Sequence, residues 1–128
     1  MSVRRAVIEH LQVSIPAFGG RVYQAFLAPV NTLTPFATVK IAGLRGAIEL
    51  ADAGDQQIEV RIYRKQDDFA ALDIIRHAVI TALNDQVISV EQYRIRWVPT
   101  GPLDFVEEEK KLLGCLITFE VPVIYQRR

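Results

Sequence analysis

Between residues 57 and 84 the chain changes its hydrophobic period once, and that change restricts the fold more than any other feature. Gln57-Ile58-Glu59-Val60-Arg61-Ile62-Tyr63-Arg64 alternates without a break. Ile58, Val60 and Ile62 fall on one face, while Glu59, Arg61 and, with the turn, Arg64 form the polar set. A period of two belongs to a strand in a sheet with one covered face. After a short gap, Asp67 to Asn84 carries Phe69, Leu72, Ile75, Val79 and Leu83 at spacings of three and four, the stripe of an amphipathic helix. An apolar sheet face and an apolar stripe arriving together pack on each other. Two more alternating segments follow, so the expected class is α+β: an antiparallel β-sheet with two main α-helices, 2–13 and 67–84, packed on one face.

Upstream, Ser2 caps the first helix, with Val3, Ala6, Val7 and Leu11 on one stripe. That helix ends before Pro16, and Ala17-Phe18-Gly19-Gly20 turns the chain. Residues 21–28 read as a strand closed by Pro29, Asn31 to Pro35 as a loop, and Phe36 to Ala42 as a second strand with Lys40 outward. Residues 43–55 hold Gly43, Gly46 and Gly54 around one apolar patch, Ala47 to Ala51. This connection is longer than a hairpin loop of about 2–5 residues, and reads either as a strand extension or as a mobile loop with a role.

Val87 to Val90 is a short link or an extra strand. Gln92 to Pro99 is a strand with Tyr93, Ile95 and Trp97 on one face and Arg94 and Arg96 on the other. Thr100 to Lys111 reads as a polar loop. The final strand, Leu113 to Tyr125, puts Cys115, Ile117, Phe119, Val121 and Val123 on one face and Thr118 and Glu120 opposite. Pro122 lacks a ladder donor and places this end at a sheet edge or beyond the paired region. The expected core is Phe69, Leu72, Ile75, Val79, Ile58, Val60, Ile62, Ile95, Trp97, Ile117 and Phe119.

A chain of 128 residues corresponds to one domain, 1–128, large enough for a core without metals or disulfides. Lys plus Arg and Asp plus Glu number 15 each, a formal net charge of zero. This argues against a dedicated nucleic-acid binder and removes the self-repulsion that keeps many proteins monomeric. Cys115 is the sole cysteine, so neither an internal disulfide nor a thiolate metal cluster forms, as suits a reducing cytoplasm. Neither a signal core nor a membrane-spanning run is present, and a soluble product with no membrane partner is expected.

No catalytic, cofactor or metal constellation emerges. His10 and His77 are the only histidines, and Asp73 four residues before His77 predicts a local helix pair. Cys115 on an apolar strand face reads as a small buried hydrophobe. Gly43-Leu44-Arg45-Gly46 lacks the Gly-Lys-Ser/Thr ending and the following helix of a phosphate loop. Arg61, Arg94 and Arg96 project from the polar faces of two strands and read as a solvated face, as inter-subunit partners of Glu59, Glu120 or the Glu107-Glu108-Glu109 cluster, or as the wall of a channel touching DNA non-specifically. Zero net charge favours inter-subunit pairing over DNA. Glu107-Glu108-Glu109-Lys110-Lys111 is a solvated turn or a rim that meets a basic patch on a neighbour.

The order of elements, with Gly19-Gly20-Arg21-Val22-Tyr23 after the first helix, Pro35-Phe36-Ala37-Thr38-Val39, and Ile58-Glu59-Val60-Arg61-Ile62-Tyr63 leading to Ala70-Ala71-Leu72, resembles the tail terminator and tail completion proteins of long-tailed bacteriophages and prophages. The resemblance spans nearly the whole chain, though each motif alone is of low specificity. It implies a non-enzymatic virion assembly protein without a cofactor. Such a subunit forms a ring, commonly a homohexamer, that caps the tail tube at its head-proximal end and offers a surface for head–tail joining. The implied partners are copies of itself, the tail tube protein and a head–tail connector, assembled in the host cytoplasm. The apolar patch Ala47 to Ala51 departs from the polar loop the family leads one to expect. The alternatives are a head–tail connector (neck) protein and, in a different class, a small ligand-binding or enzymatic α+β domain. The last strand and the residues flanking 43–55 are the expected ring contacts.

Overall fold

A computed structural model describes residues 2–29, 32–45, 55–65 and 69–121, with side chains for all of these but 42–45, 55 and 100–103. Two helices, α1 (Val3–Ser14) and α2 (Phe69–Leu83), accompany six strands. These are β1 (Val22–Gln24), β2 (Phe36–Arg45), β3 (Asp55–Lys65), β4 (Gln86–Ile88), β5 (Tyr93–Glu107) and β6 (Leu112–Val121). The strands form one sheet in the order β1-β2-β3-β6-β5-β4. The α+β class is as expected, and the sheet is mostly antiparallel. Its exception is β1, which runs parallel to β2, because the connection from Gln24 returns the chain to the start of β2 at Phe36.

Local chemistry sets the helix ends. The Ser2 hydroxyl accepts the Arg5 N–H at 3.2 Å, satisfying one of the donors a helix start leaves unpaired. Pro16–Phe18 forms one tight turn that Gly19 ends at φ 55°, a left-handed position glycine takes without a Cβ clash. At the end of α2, Asp85 adopts φ 59°, and the Asn84 side-chain oxygen accepts the Trp97 N–H of β5 at 3.0 Å. Short polar side chains tolerate this conformation.

One hydrophobic core runs through the molecule. It joins Val3, Ala6, Val7 and Leu11 of α1, Leu72, Val79 and Leu83 of α2, Ile58, Val60 and Ile62 of β3, and Cys115, Ile117, Phe119 and Val121 of β6. Helix α1 touches β1, β2, β4 and α2. It therefore reaches both edge strands, which a six-stranded sheet permits only when it curls.

Several expectations need correction. The first strand covers three residues, not 21–28: Ala25-Phe26 turns away, and Phe26 sits at φ 69° and 91% exposed. Gly43 to Arg45 and Asp55 extend the β2–β3 hairpin beyond the expected strand limits, with a register shift between Ile41 and Gly43; residues 46–54 lie outside the described residues. The polar loop 100–111 is mostly strand. Pro99-Thr100-Gly101-Pro102 bulges out between the pairs Val98↔Thr118 and Leu103↔Leu116, and β5 then continues to Glu107. A bulge accommodates prolines that cannot donate to the ladder. β6 lies between β3 and β5 and not at an edge; Val121 still pairs with Gln56, and Pro122 falls outside the described residues. Phe69 is 41% exposed, and Ile75 and Trp97 are only partly buried against the core.

Leu72 is fully buried on α2, so Leu72→Asp is expected to abolish folding, because no partner there compensates a buried charge. Leu72→Ala should keep the fold at a cost of about 2–5 kcal/mol. Urea unfolding followed by circular dichroism measures both, and a wild-type transition for the aspartate variant would overturn the assignment of this stripe.

Candidate functional site

The strand positions alternating with the core residues build a second surface. Register places Phe36 opposite Tyr63, and Tyr63 opposite Gly114, which in turn faces Phe105. The rings make a row across the sheet. Tyr23 and Phe36 are 6.4 Å apart, Phe36 stacks on Tyr63 at 4.8 Å, and Tyr63 meets Phe105 edge-on at 5.7 Å. Cross-strand aromatic contacts of this kind contribute about 0.5–1.5 kcal/mol each beyond area burial. Gly114 is required by the row: a Cβ there would lie 2.2 Å from the Phe105 ring.

Beside the row lies a partly open cleft of about 340 Å³. Phe36, Thr38, Tyr63 and Leu112 line it together with Ala25, Phe26 and Ala28 from the β1–β2 connection, Arg61 of β3, and Glu107 and Lys110 where β5 turns into β6. Burial raises the Tyr63 phenol above its ordinary pKa, and the Arg61 guanidinium only partly opposes this. Tyr63 is therefore a neutral hydrogen-bonding group and not a base. The Lys40 ammonium sits 5.9 Å from the Phe26 ring centroid.

The charged residues expected at interfaces are held within the subunit. Arg61 reaches Glu59 on its own strand at 3.0 Å. Arg96 Nε donates to Glu120 at 2.9 Å, and the two residues are register partners across β5 and β6. Arg94 approaches Asp85 at 3.8 Å. The three guanidiniums do not gather, because β6 separates β3 from β5. Glu107 joins the cleft, while Glu108 and Glu109 are exposed on the β5–β6 turn.

Sequence reasoning missed Asp85 and the aromatic row. Asn84-Asp85 at a helix end was the available signal for the first. For the second, a glycine within an otherwise bulky apolar strand hinted at a close approach, but its partner depends on register across the β5 bulge.

His10 lies between the helices, His77 is exposed on α2, and Cys115 is buried in β6. His10 Nε2 makes a 2.9 Å hydrogen bond to the Ala82 carbonyl, tying α1 to α2. Asp73 and His77 are both exposed, and the expected pair between them is not among the ion pairs of the described residues. Among the described residues, no cluster of His, Cys, Asp or Glu is arranged to hold a metal, and no helix is long and apolar enough to cross a membrane. Cys115 is buried, and its thiol is pushed from 9.0 to about 11, by burial first and by the Asp104 carboxylate second.

Two outcomes follow from these contacts. Gly114→Val should displace Phe105 and lower stability by about 1–3 kcal/mol, read as an earlier unfolding midpoint with a changed near-ultraviolet aromatic spectrum. Cys115 stays protonated in the folded chain at a pH where the unfolded chain ionises. Its contribution to stability is therefore complete below pH 9.0 and is lost as pH rises toward about 11. Cys115→Ala should flatten the stability profile across that window, and an unchanged slope would show that the thiol does not titrate there.

No family model matches the sequence, and no curated protein matches it. Among solved structures, the chain is similar to one from "Virion of native gene transfer agent (GTA) particle", with a TM-score of 0.74 at 16% identity, covering 94% of this chain and 93% of that one. At that identity the likeness establishes a shared fold.

Proposed function

We propose that this chain is a structural virion protein, and specifically a ring-forming tail terminator that caps the tail tube and provides the surface for head–tail joining. The observation carrying this reading is the likeness of fold along 94% of the chain to a component of a gene transfer agent virion. The order of sequence elements supports the finer assignment. In this reading both helices lie on one face of the sheet, and the opposite face, with its aromatic row and charged turn, meets partners. Neighbours do not join by adding to β6, which is paired on both sides. Faces and turns make the contacts, and a closed ring needs a heterologous pair of surfaces whose rotation closes.

Copies of the chain, most simply six, would form the ring at the head-proximal end of the tail. The tail tube protein and a head–tail connector would meet its two sides, with at most non-specific contact to DNA passing through. Assembly would take place in the host cytoplasm, and the subunit would perform no chemistry and need no cofactor. Glu59, Arg61, Arg94, Arg96, Glu107, Glu108, Glu109 and Glu120 would supply polar contacts between subunits by exchanging intra-chain partners for inter-chain ones.

Exposed ion pairs contribute only about 0–1 kcal/mol each, so the free subunit should show a monomer–ring equilibrium that depends on protein and salt concentration and shifts toward the ring with added tube protein. Light scattering with negative-stain imaging measures this. Arg96 holds the mostly buried Glu120, so charge reversal is better placed at Arg94 and Glu109. These changes should weaken association while moving stability by no more than about 0.5 kcal/mol. A strictly monomeric protein that binds neither tube ends nor a connector would overturn the reading.

A further inference from the structure

The outward side of α2 is unlike a solvated helix face. At about 100° per residue, the core residues Leu72, Val79 and Leu83 leave Ala70, Ile74, His77 and Thr81 on the opposite side. All four are exposed, Ile74 at 72%, and none is a carboxylate, Lys or Arg. Asp73 flanks the stripe and makes no ion pair among the described residues. Arg76, the other charged residue of α2 besides the histidine, is half-buried on the sheet-facing half. A helix that is apolar nearly all round is ordinarily buried.

A groove of about 510 Å³ runs between α1 and β1. Ile8 of α1, Val22 and Tyr23 of β1, and Leu27, which is 65% exposed, supply its apolar side chains. Its charges are Arg4, Arg5 and Glu9. Arg5 holds Glu9 at 2.9 Å, which leaves Arg4 without an ion-pair partner among the described residues. Lys40, against the Phe26 ring beside Leu27, adds a further cation at this end of the sheet.

We infer that the outward stripe of α2 docks in the α1–β1 groove of a second copy of the chain. Ile74 anchors an uncharged ridge on an apolar floor, and Asp73 at the edge of the ridge meets Arg4 at the edge of the groove. The lengths agree: Ala70 to Thr81 spans about 17 Å, and Ser2 to Gln12 along the groove about 15 Å. A helix seated through residues at spacings of four, seven and eleven is a recurring mode of recognition. The chain's own α2 cannot fill this groove. His10 and Ser14 of α1 face α2, whereas Ile8 and Gln12, each two residues from His10, stand about 160° around the helix on the far flank. The two surfaces are distinct and available at once, so the contact is heterologous, the kind a closed ring requires. The inference rests on the self-association proposed above and adds to it a contact on the helical side of the sheet.

Sedimentation equilibrium of the full chain across protein concentration tests the contact. Ile74→Asp should weaken self-association about tenfold. Asp73→Arg and Arg4→Asp should each weaken it about threefold, and an equimolar mixture of those two variants should regain wild-type association. All three positions lie outside the core, so the variants should retain the wild-type melting curve. A wild-type chain with no measurable association, or association unchanged by Ile74→Asp, would overturn the inference. So would dependence on Ile74 without dependence on Arg4, the pattern of α2 packing on α2. Rings that form unaltered in Ile74→Asp would sink this contact and leave the tail-terminator reading standing. Assembly that needs Ile74 and Arg4 but never engages tube ends or a connector would uphold the contact and overturn that reading.

Discussion

Ile58, Val60 and Ile62 of β3 stand opposite Phe119, Ile117 and Cys115 of β6, and the rest of the molecule is arranged around keeping water off that surface. Each fully buried aliphatic or aromatic side chain contributes about 1.5–3 kcal/mol relative to exposure. The pair lies at the centre of the sheet, with β2 beyond β3 and β5 beyond β6. Both helices commit their apolar stripes to the same core. Because β6 spends its backbone donors and acceptors on two neighbours, it holds the fold together and has no edge to lend to another subunit.

Helix α1 manages the edges that remain. It contacts β1 and β4, the two ends of the sheet. Gln12 also donates to the Gly20 and Val22 carbonyls along β1, each at 3.3 Å. An open edge is a template for uncontrolled pairing, and short strands covered by a helix remove it.

The face opposite the core combines two kinds of order. Rings from β1, β2, β3 and β5 line up because register brings them together and Gly114 leaves room. Farther along the same strands, Arg96 and Glu120 form an ion pair at directly opposed positions. Glu120 is mostly buried, so loss of Arg96 would leave its carboxylate without this partner. The cleft lies at the Leu112 end of this face, at the opposite end of β6 from Glu120, and joins apolar residues to the charges of Arg61, Glu107 and Lys110.

Periodicity in the sequence was sufficient for the α+β class, for α1 with its Ser2 cap and buried stripe, for the alternation of β3, and for the inward face of β6. These features are set by interactions between residues near in sequence, through a helix turn or a strand pleat, so a short window contains them. What the tertiary structure decided depends on register and order. β6 lies at the centre and not at an edge, β1 is parallel and brief, and the four residues Pro99 to Pro102 bulge out so that β5 continues and turns Phe105 onto Gly114. The charged residues were legible as outward positions, but their partners were not, since Arg96 and Glu120 are separated by 24 residues and meet only across a strand pair. The cleft is furthest from the sequence: β1–β2, β3 and the β5–β6 turn each contribute a part, and no local pattern records a surface that exists only once the strands have been ordered.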